Sequence, residues 1–266
     1  MHSLPFAKWH GLGNDYLLVE RDALAAPLTP ELVQRICDYH LGVGSDGVLE
    51  VVAVEGPRAD IVVWNPDGST AELSGNGTRI VARWLARREG VDEVAVAVGP
   101  REVAARMVDG LEVETNMGPV HVGQRETLAA GDEEIEFTPV SVGNPHAVIR
   151  RDPDPSELRR LGPLVENHAR FPERTNVQLV RVVSEHEVLV GVWERGAGET
   201  LSSGTSACAV AAATVANGWC RSPVTVHLAG GDLVVALDDS LRATLTGPAQ
   251  EICTGHVSEE LLAEVR

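Results

Sequence analysis

Trp64-Asn-Pro-Asp-Gly-Ser-Thr-Ala-Glu-Leu-Ser74-Gly75-Asn-Gly77 and Trp193-Glu-Arg-Gly-Ala-Gly-Glu-Thr-Leu-Ser-Ser203-Gly204-Thr205 are the two stretches that decide the fold. They lie 129 positions apart. In each, ten positions separate a tryptophan from a serine, a glycine follows the serine, and an apolar helical pattern comes next. A second pair keeps nearly the same offset: Gly13-Asn14-Asp15 recurs 130 residues later as Gly143-Asn144-Pro145, each at the edge of an apolar run. A repeat of that length is too long for a solenoid. It predicts a duplication: two similar halves facing each other, each presenting one serine and one helix N-terminus to a shared cleft.

Strand-like, β-branched runs fill the sequence around these landmarks, among them Tyr16–Glu20, Val48–Val54, Val177–Val183 and Val188–Glu194. Gly, Pro and Asn/Asp pairs separate most of them. Four helices are expected. One starts at Thr29-Pro30-Glu31, an N-cap followed by proline at the first helical position, and runs to about His40. One follows Ser74, with Ile80, Val81, Trp84 and Leu85 on one face. One follows Ser203; its stretch Ala207 to Ala216 is small and apolar enough to be buried on all sides. A short one follows Ser258. The fold class is α/β (α+β), built as two pseudo-symmetric mixed α/β domains. The N-terminal domain is expected over residues 1–117, with 250–266 returning to it, and the C-terminal domain over 118–249.

Composition narrows the function. A chain of 266 residues with 44% apolar content can form one large or two modest domains. A net charge of −17 argues against a nucleic-acid partner, which would demand clustered positive charge. No apolar run approaches the roughly 18 residues of a membrane span, and the N-terminus lacks a signal-peptide pattern. A cytoplasmic protein with no membrane partner is expected. Lys8 is the only lysine, so a pyridoxal-phosphate enzyme would have to use it. Cys37, Cys208, Cys220 and Cys253 show no C-x-x-C spacing, and the histidines fit no metal-binding spacing. No metal site is expected. No Walker loop is present, and Gly11-Leu-Gly13 and Gly42-Val-Gly44 are too short to mean a nucleotide site.

The serine motifs carry the chemistry. A helix N-terminus leaves several backbone N–H groups free and bears partial positive charge. Gly75-Asn76-Gly77 and Gly204-Thr205 would open two such helices. Glycine lets an anion approach the backbone, and a carboxylate is the natural guest. A single glycine-rich helix start is more often an ordinary cap. Two at matched spacing favour a paired anion site. Asp46, Asp67 and Glu72 read as turn residues, caps or solvated charges.

In order along the chain stand HGLGND (10–15), NPDGS (65–69), SGNGTR (74–79), VGNPH (142–146), and ERGAGETL (194–201) followed by GT (204–205). This series resembles diaminopimelate epimerase over essentially the whole chain. The resemblance implies two pseudo-symmetric α/β domains, each a curved sheet around a helix, no cofactor, and a homodimer. It implies inversion at one α-carbon of diaminopimelate, between the LL and meso forms, by two opposed bases. Ser74 and Ser203 stand at the catalytic positions. Asn14, Asn65, Asn144, Asn176 and Arg195 would bind the non-reacting amino-acid end, with Arg195 able to grip a carboxylate bidentately. Glu194 and His146 would orient the reacting ammonium. Gly75, Asn76, Gly204 and Thr205 would bind the reacting carboxylate.

One departure matters. The family's two bases are cysteines, and here both are serines. A thiol has a reference pKa near about 8.5, while a hydroxyl starts nearer the roughly 15.7 of water. A helix dipole worth about 0.3–2 kcal/mol cannot close that gap. Serine normally borrows a base, usually histidine; His146 is the nearest motif histidine, but one histidine cannot readily serve both faces. Three accounts stay open: an epimerase scaffold with its cysteines replaced, a relative with altered chemistry such as another racemase or a hydroxyproline-type dehydratase, or a non-catalytic amino-acid binder.

Overall fold

The computed structural model describes residues 3–24, 26–71 and 74–263. The chain divides into two compact units, residues 1–115 with 248–266, and residues 116–247. The first unit contains β1 (Leu4–Gly11), β2 (Asn14–Glu20), α1 (Pro30–Cys37), β3 (Val48–Glu55), β4 (Arg58–Trp64), β5 (Thr70–Ala71), α2 (Gly75–Glu89), β6 (Glu93–Val98) and β7 (Arg101–Met107). Strand β8 (Glu112–Pro119) runs across the boundary. The second unit contains β9 (His121–Val122), β10 (Glu126–Ala130), β11 (Glu133–Ser141), β12 (Pro145–Arg150), α3 (Pro155–Glu166), β13 (Asn176–Ser184), β14 (Glu187–Glu194), β15 (Gly198–Thr200), α4 (Gly204–Ala216), β16 (Val224–Leu228), β17 (Gly231–Leu237) and β18 (Arg242–Pro248). The chain then re-enters the first unit as β19 (Gln250–Val257) and α5 (Glu259–Ala263).

Both units follow one plan. In the first, β2 lies parallel to β3 with α1 in the crossover, and β4 lies parallel to β6 with α2 in the crossover. In the second, β12 lies parallel to β13 with α3 between them, and β14 lies parallel to β16 with α4 between them. Antiparallel pairs fill in around these, such as β3 with β4 and β13 with β14. The registers correspond too. Leu17 and Trp64 both pair with Val48, as Ala147 and Trp193 both pair with Val177.

The alternation of side chains along a strand explains the layering. On β2, Tyr16 and Leu18 face a core built on α2 with Leu49, Ile61, Val63, Ile80, Val81 and Leu85. Leu17 and Val19 point the other way, to Val33, Ile36 and Cys37 of α1. Each sheet is thus buried on both faces at its middle. Among the described residues, no helix is long and apolar enough to cross a membrane.

The mixed α/β class holds, but α3 was absent from the sequence expectation. Asp154 caps it, accepting from the Ser156 and Glu157 N–H groups, and Pro155 sits in its first turn. Gly162 and Pro163 in its interior hide the helical pattern. Gly162 is there because Trp193 leaves no room: an added Cβ would lie 2.5 Å from the indole. Helix α1 ends at Cys37, three residues short of His40, because Asp38 turns away and its carboxylate accepts from the His40 and Leu41 N–H groups.

Candidate active site

In each unit a tryptophan fixes the end of a strand, a short hairpin follows, and a serine caps the next helix. Trp64 Nε1 donates to the buried Glu50 at 2.9 Å, and Glu50 also pairs with Arg21 at 2.7 Å. Trp193 Nε1 donates to the buried Glu166 at 2.7 Å, and Glu166 also pairs with Arg174 at 3.1 Å. A buried carboxylate needs such partners. After Trp64 the chain turns through Gly68, whose φ of 83° suits glycine, and returns as β5 against β4. After Trp193 it turns through Gly196 and Gly198 and returns as β15 against β14.

In the first unit Ser74 is the N-cap of α2, its Oγ accepting the Gly77 N–H at 3.0 Å. A chain of hydrogen bonds then leads away from the helix start. Arg79, fully buried, donates to Asn76 Oδ1 at 2.6 Å. Asn76 Nδ2 donates to Asn14 Oδ1 at 3.1 Å, and Asn14 Nδ2 donates to Asp46 Oδ2 at 3.0 Å. Asp46 also accepts from the Asp15 N–H and from the Tyr39 hydroxyl, both at 3.0 Å. Burial, and then the Asp46 and Asp15 carboxylates, push the Tyr39 phenol up. This network fixes the amide orientations of Asn14 and Asn76 beside the helix N-terminus. Asn65 stands apart from it, its Nδ2 on Ser69 Oγ at 2.9 Å within the turn.

In the second unit Ser203 caps α4, accepting the Ser206 N–H at 3.4 Å and donating to Glu194 Oε2 at 3.0 Å. His146 is buried, with Nε2 against Asn144 Oδ1 at 2.9 Å and Nδ1 against Gln178 Nε2 at 3.1 Å. An amide N–H can only donate, so Nδ1 is the acceptor and Nε2 carries the proton. Burial holds the imidazole down to about 3, with the Arg195 charge adding to the effect, so it is neutral at physiological pH. Asn176 donates to Pro145 O at 2.9 Å and accepts the Arg195 N–H at 3.0 Å. The Arg195 side chain is exposed, with Nη1 on Glu173 O at 3.2 Å.

The expected residues therefore gather in two networks: Asn14, Ser74, Gly75 and Asn76 in one unit, and Asn144, His146, Asn176, Glu194, Arg195, Ser203, Gly204 and Thr205 in the other. His146, the motif histidine nearest to the serines, has both ring nitrogens engaged by Asn144 and Gln178, and the group on Ser203 Oγ is Glu194. Asp46 is more than a turn residue, because it orients Asn14. Asp67 does hold a turn, through Ser69 N–H and Oγ. Glu72 lies outside the described residues. Lys8 is tied to Asp15 at 2.7 Å and to Gly44 O at 2.7 Å. Tyr16, Arg79 and Gln178 went unread; the only cue for Tyr16 was its place directly after Asn14-Asp15.

Against known proteins, the sequence profile described as diaminopimelate epimerase matches residues 6–122 and 138–252. The chain is 36% identical to diaminopimelate epimerase 2 of Nostoc sp., covering 98% of both chains. It is 38% identical to the diaminopimelate epimerase of Pelotomaculum thermopropionicum, covering 94% of this chain and 97% of that one. Among solved structures, a hydroxyproline epimerase from Agrobacterium vitis with bound trans-4-hydroxy-L-proline superposes with a TM-score of 0.74 at 16% identity, covering 97% of this chain and 93% of that one. A PhzF-family phenazine biosynthesis protein from Bacillus anthracis reaches 0.73 at 14% identity, covering 97% and 100%. These two likenesses are of fold.

Proposed function

Because this chain belongs to the diaminopimelate epimerase family, and is an isomerase of the epimerase type, we propose that its ligand is diaminopimelate and its reaction the interconversion of the LL and meso forms, slowed by several orders of magnitude because both bases are serines. The supporting observation is the twice-repeated helix start capped by a serine hydroxyl, at Ser74 and at Ser203. Free N–H groups and partial positive charge at each start suit a carboxylate and the carbanionic charge that spreads into it when the α-proton leaves. The buried guanidinium of Arg79 adds a positive charge one turn into α2 and reaches back to Asn76 and Gly75 O. The exposed guanidinium of Arg195 suits the second carboxylate. No cofactor enters this scheme. Ser74 and Ser203 are the proton-handling groups, and Asn14, Asn65, Gly75, Asn76, Asn144, His146, Asn176, Glu194, Gly204 and Thr205 complete the ligand site. The neutral, doubly bonded His146 acts here by holding Asn144 in place.

The proposal includes a cytoplasmic homodimer, as the family resemblance implies. Calorimetric titration tests the ligand. Diaminopimelate is expected to bind, and L-lysine, which lacks the second carboxylate, to bind at least tenfold more weakly. Binding of proline or hydroxyproline with no heat from diaminopimelate would instead favour the racemase reading.

A further inference from the structure

Ser74 and Ser203 occupy equivalent positions, yet the group on each hydroxyl comes from a different place in the repeat. Tyr16 Oη lies 3.1 Å from Ser74 Oγ, and either atom can be the donor. By strand register the counterpart of Tyr16 is His146, which contacts Asn144 and Gln178 instead. The counterpart of Glu194, which holds Ser203, is Asn65, which bonds within its own turn. The tyrosine–serine contact is therefore not a by-product of the duplication.

The local packing is built around that phenol. The Tyr16 ring is buried in the α2 core and lies over Gly47. A Cβ at Gly47 would stand 2.8 Å from Tyr16 Cε1 and 2.3 Å from Trp64 O, so only glycine fits beneath the ring. At Ser74, one oxygen lone pair takes the Gly77 N–H as the helix cap. With Tyr16 donating to the other, the serine proton is left to point elsewhere. With Tyr16 ionised, the serine proton points at the phenolate.

We propose that Tyr16 is a proton-relay partner of Ser74, a positioning residue that lets a serine exchange the substrate α-proton without forming a free alkoxide. The inference rests on the epimerase reading above. When a proton leaves the α-carbon for Ser74 Oγ, the hydroxyl's own proton crosses to the Tyr16 phenolate. In the other direction Ser74 gives its hydroxyl proton to the carbanion and takes the phenol proton, and water reprotonates the phenolate. The terminal acid–base group is then a phenol, ordinarily near about 10, in place of an alcohol near the roughly 15.7 of water.

The test is α-deuterium exchange from D2O into LL- and meso-diaminopimelate across pH 7–10.5, for the chain as it stands and for the Ser74→Cys/Ser203→Cys form, each with and without Tyr16→Phe. Exchange by the serine form should rise with pH through the phenol range. Tyr16→Phe should remove that rise and cut exchange about 10²-fold, the scale of one acid–base group, with the dissociation constant for diaminopimelate unchanged. In the dithiol form, whose thiols need no relay, the same substitution should cost less than about threefold. Tyr16 and Tyr39 are the two tyrosines, so fluorotyrosine incorporation in a Tyr39→Phe chain labels Tyr16 alone; it should move the alkaline rise to lower pH. Equal losses in both backgrounds would make Tyr16 merely structural and overturn the relay. So would a serine form that stays silent to pH 10.5 beside an active dithiol form. Silence in the dithiol form would instead bring down the epimerase reading itself, and the relay with it.

Discussion

Placing thiols at both helix caps, Ser74→Cys with Ser203→Cys, should raise proton exchange about 10³- to 10⁴-fold and lower stability at the same time. The ordinary gap between an alcohol and a thiol is about seven pKa units. Both sit at a helix N-terminus, whose 0.3–2 kcal/mol acts on either and leaves the difference standing. The stronger basicity of the rare alkoxide returns about half of that loss on a Brønsted slope near one half, which leaves three to four orders of magnitude for a serine acting without the Tyr16 relay, as Ser203 does. The two sites should not respond alike. At 203 the Glu194 carboxylate, 3.0 Å from the cap oxygen, disfavours a thiolate, whereas at 74 the neighbour is the Tyr16 hydroxyl. Stability moves the other way, because sulfur is a poor acceptor for a cap N–H. Losing an N-cap costs about 0.5–2 kcal/mol. The bond at Ser74 is 3.0 Å and that at Ser203 is 3.4 Å, so Ser74→Cys should be the costlier of the two. Mass spectrometry of diaminopimelate in D2O reads the exchange, and urea unfolding reads the stability. An unsubstituted chain that exchanges within tenfold of the dithiol form would refute the acidity argument.

The imidazole of His146 and the tight spot at Gly162 give two further tests. The folded value of His146, near 3, lies below the unfolded value of about 6.5, so the unfolded chain binds the extra proton between them. Its contribution to stability should be whole above about pH 6.5 and fall as the pH drops toward 3, by up to about 1 kcal/mol per pH unit. Urea midpoints against pH for the chain and for His146→Gln would display it, and a folded-state NMR signal assigned to the His146 imidazole titrating near 6.5 would contradict it. Gly162→Ala should cost about 1–3 kcal/mol, since the new methyl meets the Trp193 ring at 2.5 Å. An unchanged urea midpoint for that variant would show that α3 can slide away from Trp193.

Duplication made much of the architecture readable. The caps at Thr29, Ser74 and Ser203 announced their helices, and each proved to be the N-cap. Used fully, the same logic would have found α3: Asp154-Pro155 repeats the cap-then-proline start of Thr29-Pro30 at the equivalent crossover. The strand β1, with Lys8 and His10 breaking its alternation, carries no run of β-branched residues and is held by pairing to β2 and β19, partners that no local pattern reveals. At the site, motif order brought Asn14 and Asn76 to attention but not the bond between them, nor the Arg79 and Asp46 bonds on either side of it. Which group meets Ser203 was hidden for a similar reason. Nearness along a motif says little about which side chain points at Ser203, and β14 delivers Glu194 there instead.

Helix α4 has almost no outside. Gly204 through Thr214 are all buried, and glycine, alanine, serine and threonine make up most of them. Helix α2, by contrast, shows Arg87, Arg88 and Glu89 to solvent at its far end. Evolutionary drift thus has room on one helix and hardly any on the other. A deep mutational scan would show a block of size intolerance running the length of α4, including positions several turns from any ligand. Side-chain bulk added at Ala211 or Ala212 would have to be absorbed by shifting the whole rod, and the rod's first turn carries Ser203.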